Sequence, residues 1–480
     1  MYCFRPFVRA SNISSANKFR VIDSRNFWFR LIVWLVLSTS WAGAGACAEQ
    51  WKAGAARVNI TPDKLMWMAG YGARNKPAEG KLTDLWGKAL VLEDGMGHRV
   101  ALVTFDLVGI DRGLSQRVCR ALEEKHGLRR SDIALCASHT HCGPVVANNL
   151  RPLHYLIVDQ NQQQLIEEYT RQLEHKLIEV VGQAIEQLAP RQLVWGSSRA
   201  TYAVNRRNNP EAKVVDIRQA GALQGPFDHD VPVMAVQDER GQLSAVVFGY
   251  ACHATVLDFY QWCSDHPGFA QEALEANHPG CIALFWAGCG ADQNPLPRRS
   301  IERAKHYGQR LAVAVDEALL TTKLQPIAPK LTTSYAEIAL PFGTLPTRDQ
   351  LAADVRSENK YVVARAKMLL SQLDEGQAIA ATYPYPIAVW KFGDEVQFVT
   401  LGGEVVVDYA LRLKAELSGP KTWVAGYSHD VMAYIPSRRV LQEGGYEGGG
   451  AMVYYGLPTS WAPEVEEMIV REVHRQIGNN

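Results

Sequence analysis

The sequence predicts a mixed α/β fold: one large domain on a single mixed sheet, with a metal site at the carboxyl ends of its strands. Three observations carry this expectation. Short apolar runs of strand composition alternate along the chain with longer amphipathic stretches of helical period. Several of those runs break off into clusters of Gly, His, Cys or acidic residues, as strands do when they deliver loops to one side of an α/β sheet. The chain has 480 residues, 47% hydrophobic and 21% charged, enough to bury a large core.

Residues 1–48 fall outside the expected domain. Arg5, Arg9, Lys18, Arg20, Arg25 and Arg30 precede the uncharged stretch "LIVWLVLSTSWAGAGACA" over 31–48, which ends in Ala46-Cys47-Ala48. Basic, then apolar, then small residues is the order of a secretory signal, and the apolar part is short for a membrane span. We therefore expect cleavage before Glu49, export to the periplasm or beyond, and no span in the mature form. Seven cysteines remain after cleavage, an odd count that leaves at least one free thiol.

In the domain expected over 49–480, "ALVLED" and "RVALVTFDLVGI" read as buried strands, the second followed by a helix through "LSQRVCRALEEKHG". "DIALCASH" is strand into loop, and 163–188 is a long helix. "AVVFGYACHAT" and "GCIALFWAGCGAD" are further strands that end in polar clusters, and "SIERAKHYGQRLAVAVDEAL" is a helix. "EVQFVTLGGE", the helix "VVVDYALRLKAEL", the strand "KTWVAGYSHD" and a last helix over 463–477 complete the pattern. Lys+Arg and Asp+Glu are both 50. That balance argues against a nucleic-acid partner.

The strand endings carry the chemistry. His139 and His141 in "CASHTHCGP" stand i and i+2, and on extended chain they would face one side. His253 leaves a second strand end, and Glu404 follows Gly402-Gly403 after another. Imidazoles plus a carboxylate on strand ends suit Zn²⁺ with an open position for water. The chain has no G-x-S-x-G, no H-E-x-x-H and no G-x-x-x-x-G-K-[ST], which removes the nucleophile elbow, the helix-borne zinc protease site and the P-loop. The glycine-rich "EGGYEGGGAM" reads as a flexible loop.

Several motifs occur in order over roughly 51–456: "AGAARVNITP", "AGYGAR", "LVTFDLVGID", "ASHTHCGP", "YACHATVL", "DHPGFA", "LGGE" and "AYIPSRRVLQEGGYEGG". On these motifs the chain resembles the neutral/alkaline non-lysosomal ceramidases, whose catalytic domain hydrolyses the amide of N-acylsphingosine with bound zinc. The resemblance implies zinc ligands at His139, His253, Glu404 and Tyr434. It implies a histidine near the scissile bond at His141, an arginine at Arg206 (with Arg207 one residue away) and an oxyanion-stabilising tyrosine at Tyr446.

The sequence departs from that pattern at two points. The family's catalytic serine falls on Ala291 in "WAGCGADQNPLPR", which makes Asp292 a candidate general base. The chain also ends soon after Tyr446, so the expectation is a shortened member without the family's C-terminal β-sandwich domain. The leading expectation is an exported zinc amidohydrolase acting on a ceramide-like N-acyl linkage. The alternatives are an esterase or amidase on soluble, non-lipid substrates and a non-catalytic metal-binding homologue. A deep apolar channel above the metal would favour lipid, a polar bowl the soluble substrate.

Overall fold

In the computed structural model, which describes residues 50–320 and 324–478, the apolar runs form strands. The leader expected over 1–48 lies outside the described residues. β1 (Trp51–Asn59), β2 (Trp86–Glu93), β3 (Arg99–Phe105), β4 (Ile133–Ala137), β5 (Ala189–Arg199), β6 (Asp230–Gln237), β7 (Leu243–Tyr250) and β8 (Ile282–Ala287) make one sheet. Their order is β8-β7-β6-β5-β1-β2-β3-β4, and Gln325–Pro326 pairs with β5 as a ninth strand. β7–β8 and β3–β4 are parallel pairs, and the others are antiparallel. The sheet is therefore mixed, as the sequence predicts. β4 and the last three residues of β7 are buried throughout, which explains their near-continuous apolar composition.

β4 and β8 stand at opposite ends of this order yet touch each other. The right-handed twist of neighbouring strands accumulates across a wide sheet, and here the sheet curls until its two parallel ends meet. The curl brings the loop after β4, which carries His139, beside the loop after β7, which carries His253.

A second sheet goes beyond the expectation of one. β9 (Leu331–Pro341), β10 (Thr382–Phe392), β11 (Val396–Leu401) and β12 (Lys421–Ala425) pair in chain order. β9 is only half buried, so it lacks the apolar run that marks the strands of the first sheet. The two sheets pack face to face through Leu90, Leu102 and Trp286 on one side and Trp390, Phe398 and Trp423 on the other. The rings of Trp286 and Phe398 are 5.2 Å apart. Asp132, at the start of β4, ties the sheets at one edge: it accepts from Arg129 Nε (2.8 Å), pairs with His98 Nε2 (2.9 Å) and accepts from Thr333 Oγ1 on β9 (2.7 Å).

Helices close both outer faces. α1 (Arg112–His126) packs on α2 (Gln160–Glu186). α2, α3 (Asp265–Asn277) and α4 (Ile301–Leu320) cover the first sheet, while α5 (Val407–Glu416) and α6 (Val465–Gly478) cover the second. Local signals set their ends. Asp111 caps α1 by accepting from Gly113 N, and Gly127 closes it with φ 70°; Asp159 caps α2 by accepting from Gln162 N. Among the described residues no helix is long and apolar enough to cross a membrane. All seven cysteines of the domain are free and buried.

Candidate metal centre

His139 stands two residues past β4, and its φ of 60° makes it left-handed rather than extended. Backbone bonds fix the turn: Ala137 N donates to Tyr427 O (3.1 Å), and Ser138 N donates to Phe105 O (3.0 Å). The two histidines of "SHTH" do face one centre, with Nε2 atoms 3.1 Å apart, but this turn brings them there, not the alternation of a strand. His253 stands three residues past β7, its N donating to Gln293 O (2.9 Å). Glu404 and Tyr434 lie side by side in a two-residue parallel ladder, Glu404–Val405 against Tyr434–Ile435. Gly403 before it has φ 75°, and a Cβ there would come within 2.6 Å of Ile435 Cγ1 and 2.7 Å of Ala433 O. Only glycine lets Glu404 turn into the site.

Hydrogen bonds on the outer ring atoms set the tautomers. His139 Nδ1 donates to Val108 O at 2.6 Å, and His253 Nδ1 donates to Gly290 O at 2.8 Å. Nε2 of each ring then faces inward. Burial, with Arg206 nearby, pushes the His253 pKa down to about 4, which keeps it neutral. Glu404 Oε2 lies 3.2 Å from both Nε2 atoms and makes no hydrogen bond. Burial opposes the charge on this carboxyl, but His139 and His253 outweigh burial and hold it well below the usual carboxylate range. Its other oxygen accepts from the Tyr455 hydroxyl. Tyr434 Oη is 3.5 Å from His253 Nε2.

Two inward Nε2 atoms, an orphaned carboxylate oxygen and a phenol oxygen thus converge on one point. A buried cluster of acceptors is costly unless a cation sits among them, and an N/O donor set of this kind fits zinc. His139, His141 and His253 each offer a ligand atom within 4.8 Å of the others. His141 Nδ1 is buried without a hydrogen bond, and burial pushes its pKa well below the usual imidazole value. The ring packs on Tyr71 at 4.7 Å. Gly70 beneath it, with φ 91°, has no room for a Cβ, which would meet His141 Cγ at 2.4 Å.

The remaining expected residues lie on the open side. Arg206 Nη2 donates to Tyr434 Oη (3.1 Å) and Nε to Glu447 (2.7 Å), whereas Arg207 reaches Glu447 and Glu443. Of this pair, Arg206 is the one at the centre. The Tyr446 ring is 5.2 Å from that of Tyr434 and 45% exposed. The glycine-rich segment around it is not a loose loop. It forms a wide helical turn in which Gly450 N donates to Gly445 O and Ala451 N to Tyr446 O, both at 3.0 Å, and then a short helix, Met452–Tyr455.

Asp292 is fully buried, and burial pushes its pKa up to about 6. Its oxygens accept from Val407 N and Asn205 Nδ2, both at 2.9 Å, and its backbone O from Arg206 N at 2.8 Å. In this arrangement its side chain anchors the start of α5 and the strand leading to Arg206. Ala291 is buried in the core under the second sheet.

Three site residues escape the sequence reading. Tyr455 holds Glu404, Tyr427 packs its ring 4.3 Å from that of His139, and Glu447 bridges Arg206 and Arg207. A tyrosine nine residues after Tyr446 was the available signal for Tyr455; the other two had none.

Residues 51–282 match the N-terminal domain of the neutral/alkaline non-lysosomal ceramidases. The neutral ceramidases of Drosophila melanogaster and Drosophila pseudoobscura pseudoobscura are each 24% identical over 263 residues, covering 52% of this chain and 36% of theirs. The match therefore spans about a third of the length of these curated relatives. A solved structure described as a ceramidase complexed with C2 superposes with TM-score 0.68 at 16% identity, covering 88% of this chain and 74% of that one. Neutral ceramidase from Pseudomonas aeruginosa gives 0.66 at 18%, covering 88% and 73%. At such identities the superpositions speak to the fold. Fold and matched segment agree: over residues 51–282 the chain carries a segment of the neutral/alkaline non-lysosomal ceramidase N-terminal domain, on a fold shared with the solved ceramidases.

Proposed function

We propose that this protein is an exported, zinc-dependent hydrolase of N-acyl amide bonds, with His139, His253, Glu404 and Tyr434 as the metal ligands. One observation carries the reading: the inward Nε2 atoms of His139 and His253 meet an orphaned, buried oxygen of Glu404 at 3.2 Å each. Zinc held there would supply Lewis acidity toward a carbonyl and lower the pKa of water from 15.7 to about 7.

The protein's own groups do the rest. Tyr446 donates a hydrogen bond to the carbonyl oxygen as charge grows on it. His141 passes a proton to the departing nitrogen. Arg206 fixes the Tyr434 phenol and is itself held by Glu447. Asp292 acts by position, keeping Arg206 and α5 in place. In the net reaction the C–N bond breaks, the carbonyl carbon takes the oxygen of water, and the nitrogen leaves as the protonated amine.

The relatives' names indicate ceramide as their substrate; for this chain the amide bond is proposed and its two halves are left to the lining of the cleft. Export rests on the basic, apolar and small-residue order of residues 1–48.

Metal removal tests the reading. Dialysis of the purified chain against a chelator should abolish release of amine from an N-acyl substrate, and one equivalent of Zn²⁺ should restore it. Hydrolysis undiminished in the metal-stripped protein would refute it.

A further inference from the structure

A cleft of about 600 Å³ opens beside the candidate centre, with Arg206 and Tyr446 on its wall. Its charged lining consists of Arg206, Arg207 and Arg298 with Glu211, Glu443 and Glu447. Every guanidinium is already matched. Arg206 and Arg207 each meet Glu447 at 2.7 Å, Arg207 also meets Glu443 at 3.0 Å, and Arg298 meets Glu211 at 2.7 Å. The three positive and three negative groups cancel. Leu296 is the sole aliphatic side chain on the lining, and Tyr446 the sole aromatic one.

A hydrocarbon chain laid in such a cleft would find almost no apolar wall and would strip water from six charged groups. An anionic group would compete with glutamates that already satisfy the arginines. A neutral hydroxyl group suits the lining, because it donates to a carboxylate while accepting from a neighbouring guanidinium, and alternating Arg and Glu offer such a pair of partners at several points. The half-exposed ring of Tyr446 adds a flat apolar surface beside these polar groups, which suits a ligand with one apolar face and a rim of hydroxyls.

From this lining we infer that the half of the substrate seated in the cleft is an uncharged, polyhydroxylated group without a hydrocarbon tail, so that the enzyme acts on an N-acylated amino sugar. The inference rests on the amide-hydrolase reading above and gives that site its substrate class. Water remains the co-reactant, and the products are a carboxylic acid and the free amino sugar.

The test uses the purified, metal-loaded full chain. Amine release is followed from N-acetylglucosamine, from anionic N-acetylglycine and from N-hexanoylsphingosine in detergent micelles, with calorimetric titration of N-acetylglucosamine in parallel. The expected result is kcat/KM for the sugar amide about 10²-fold above the other two: N-acetylglycine has no hydroxyls to bond, and N-hexanoylsphingosine, with two hydroxyls, must lay its hydrocarbon tail along a lining with almost no apolar wall. Arg298→Ala should raise KM for the sugar amide about tenfold, with a smaller effect on kcat, and Arg298→Lys should recover part of the loss.

Faster cleavage of N-hexanoylsphingosine or N-acetylglycine overturns the inference and leaves amide hydrolysis standing. An unchanged KM in a folded Arg298→Ala protein also overturns it. Calorimetric binding of N-acetylglucosamine with no amide cleaved keeps the cleft assignment and removes the hydrolase reading. Neither binding nor cleavage overturns both.

Discussion

Replacing His139 or His253 by alanine is expected to strip the bound metal and reduce amide hydrolysis to background. Each imidazole aims Nε2 inward because a backbone carbonyl holds its Nδ1–H, so each change deletes one ligand and leaves the carboxylate of Glu404 with one partner fewer at the centre. Loss of an outer partner alone typically costs 10- to 100-fold in metal affinity; loss of a ligand should exceed about 10²-fold. Metal content after dialysis, measured by plasma mass spectrometry, reads this directly. His141→Ala separates the two roles open to that residue. As a proton donor it should keep the metal while turnover falls by roughly 10²- to 10⁴-fold, and metal loss in this variant would make it a ligand instead.

Tyr446→Phe should lower kcat by about 10²-fold or more while metal content stays unchanged, the usual consequence of deleting one donor to a developing oxyanion. Its ring packs 5.2 Å from that of Tyr434, and Arg206 lies over it at 5.8 Å. Phenylalanine keeps those ring contacts, so the change isolates the hydroxyl. An effect confined to KM would assign Tyr446 to substrate binding alone.

Where function is local, the sequence discloses it well. The strand-to-polar transitions after "DIALCA", "VVFGY" and "FVTL" mark the loops that carry His139, His253 and Glu404, because burial of a strand and exposure of a site both leave a compositional trace. The geometry of the pair at 139 and 141 was less legible. An i, i+2 rule assumes extended chain, whereas His139 has φ 60° and tertiary bonds to Phe105 and Tyr427 dictate the turn.

Tyr434 could be read only through the family resemblance. Its partner Glu404 is joined to it by a two-residue ladder, too short to leave a periodic signal. Tyr455 reaches Glu404 from a helix formed after five glycines, a composition that reads as loop. The polar cleft draws its walls from three segments distant in sequence, around residues 206–211, 294–298 and 443–447, and no local pattern announces such a meeting. The second sheet was legible only in part: "EVQFVTL" and "KTWVA" mark β11 and β12, whereas β9 is half exposed along its length and lacks an apolar signature.

X-ray absorption at the zinc edge of the purified chain examines the convergence of these side chains most directly. The expected spectrum shows about one zinc per chain in a shell of nitrogen and oxygen at about 2.0–2.2 Å, with imidazole scattering from two or three rings. A chain that carries no zinc when purified with the metal present, or a shell dominated by sulfur at about 2.3 Å, would contradict a centre built from His139, His253, Glu404 and Tyr434.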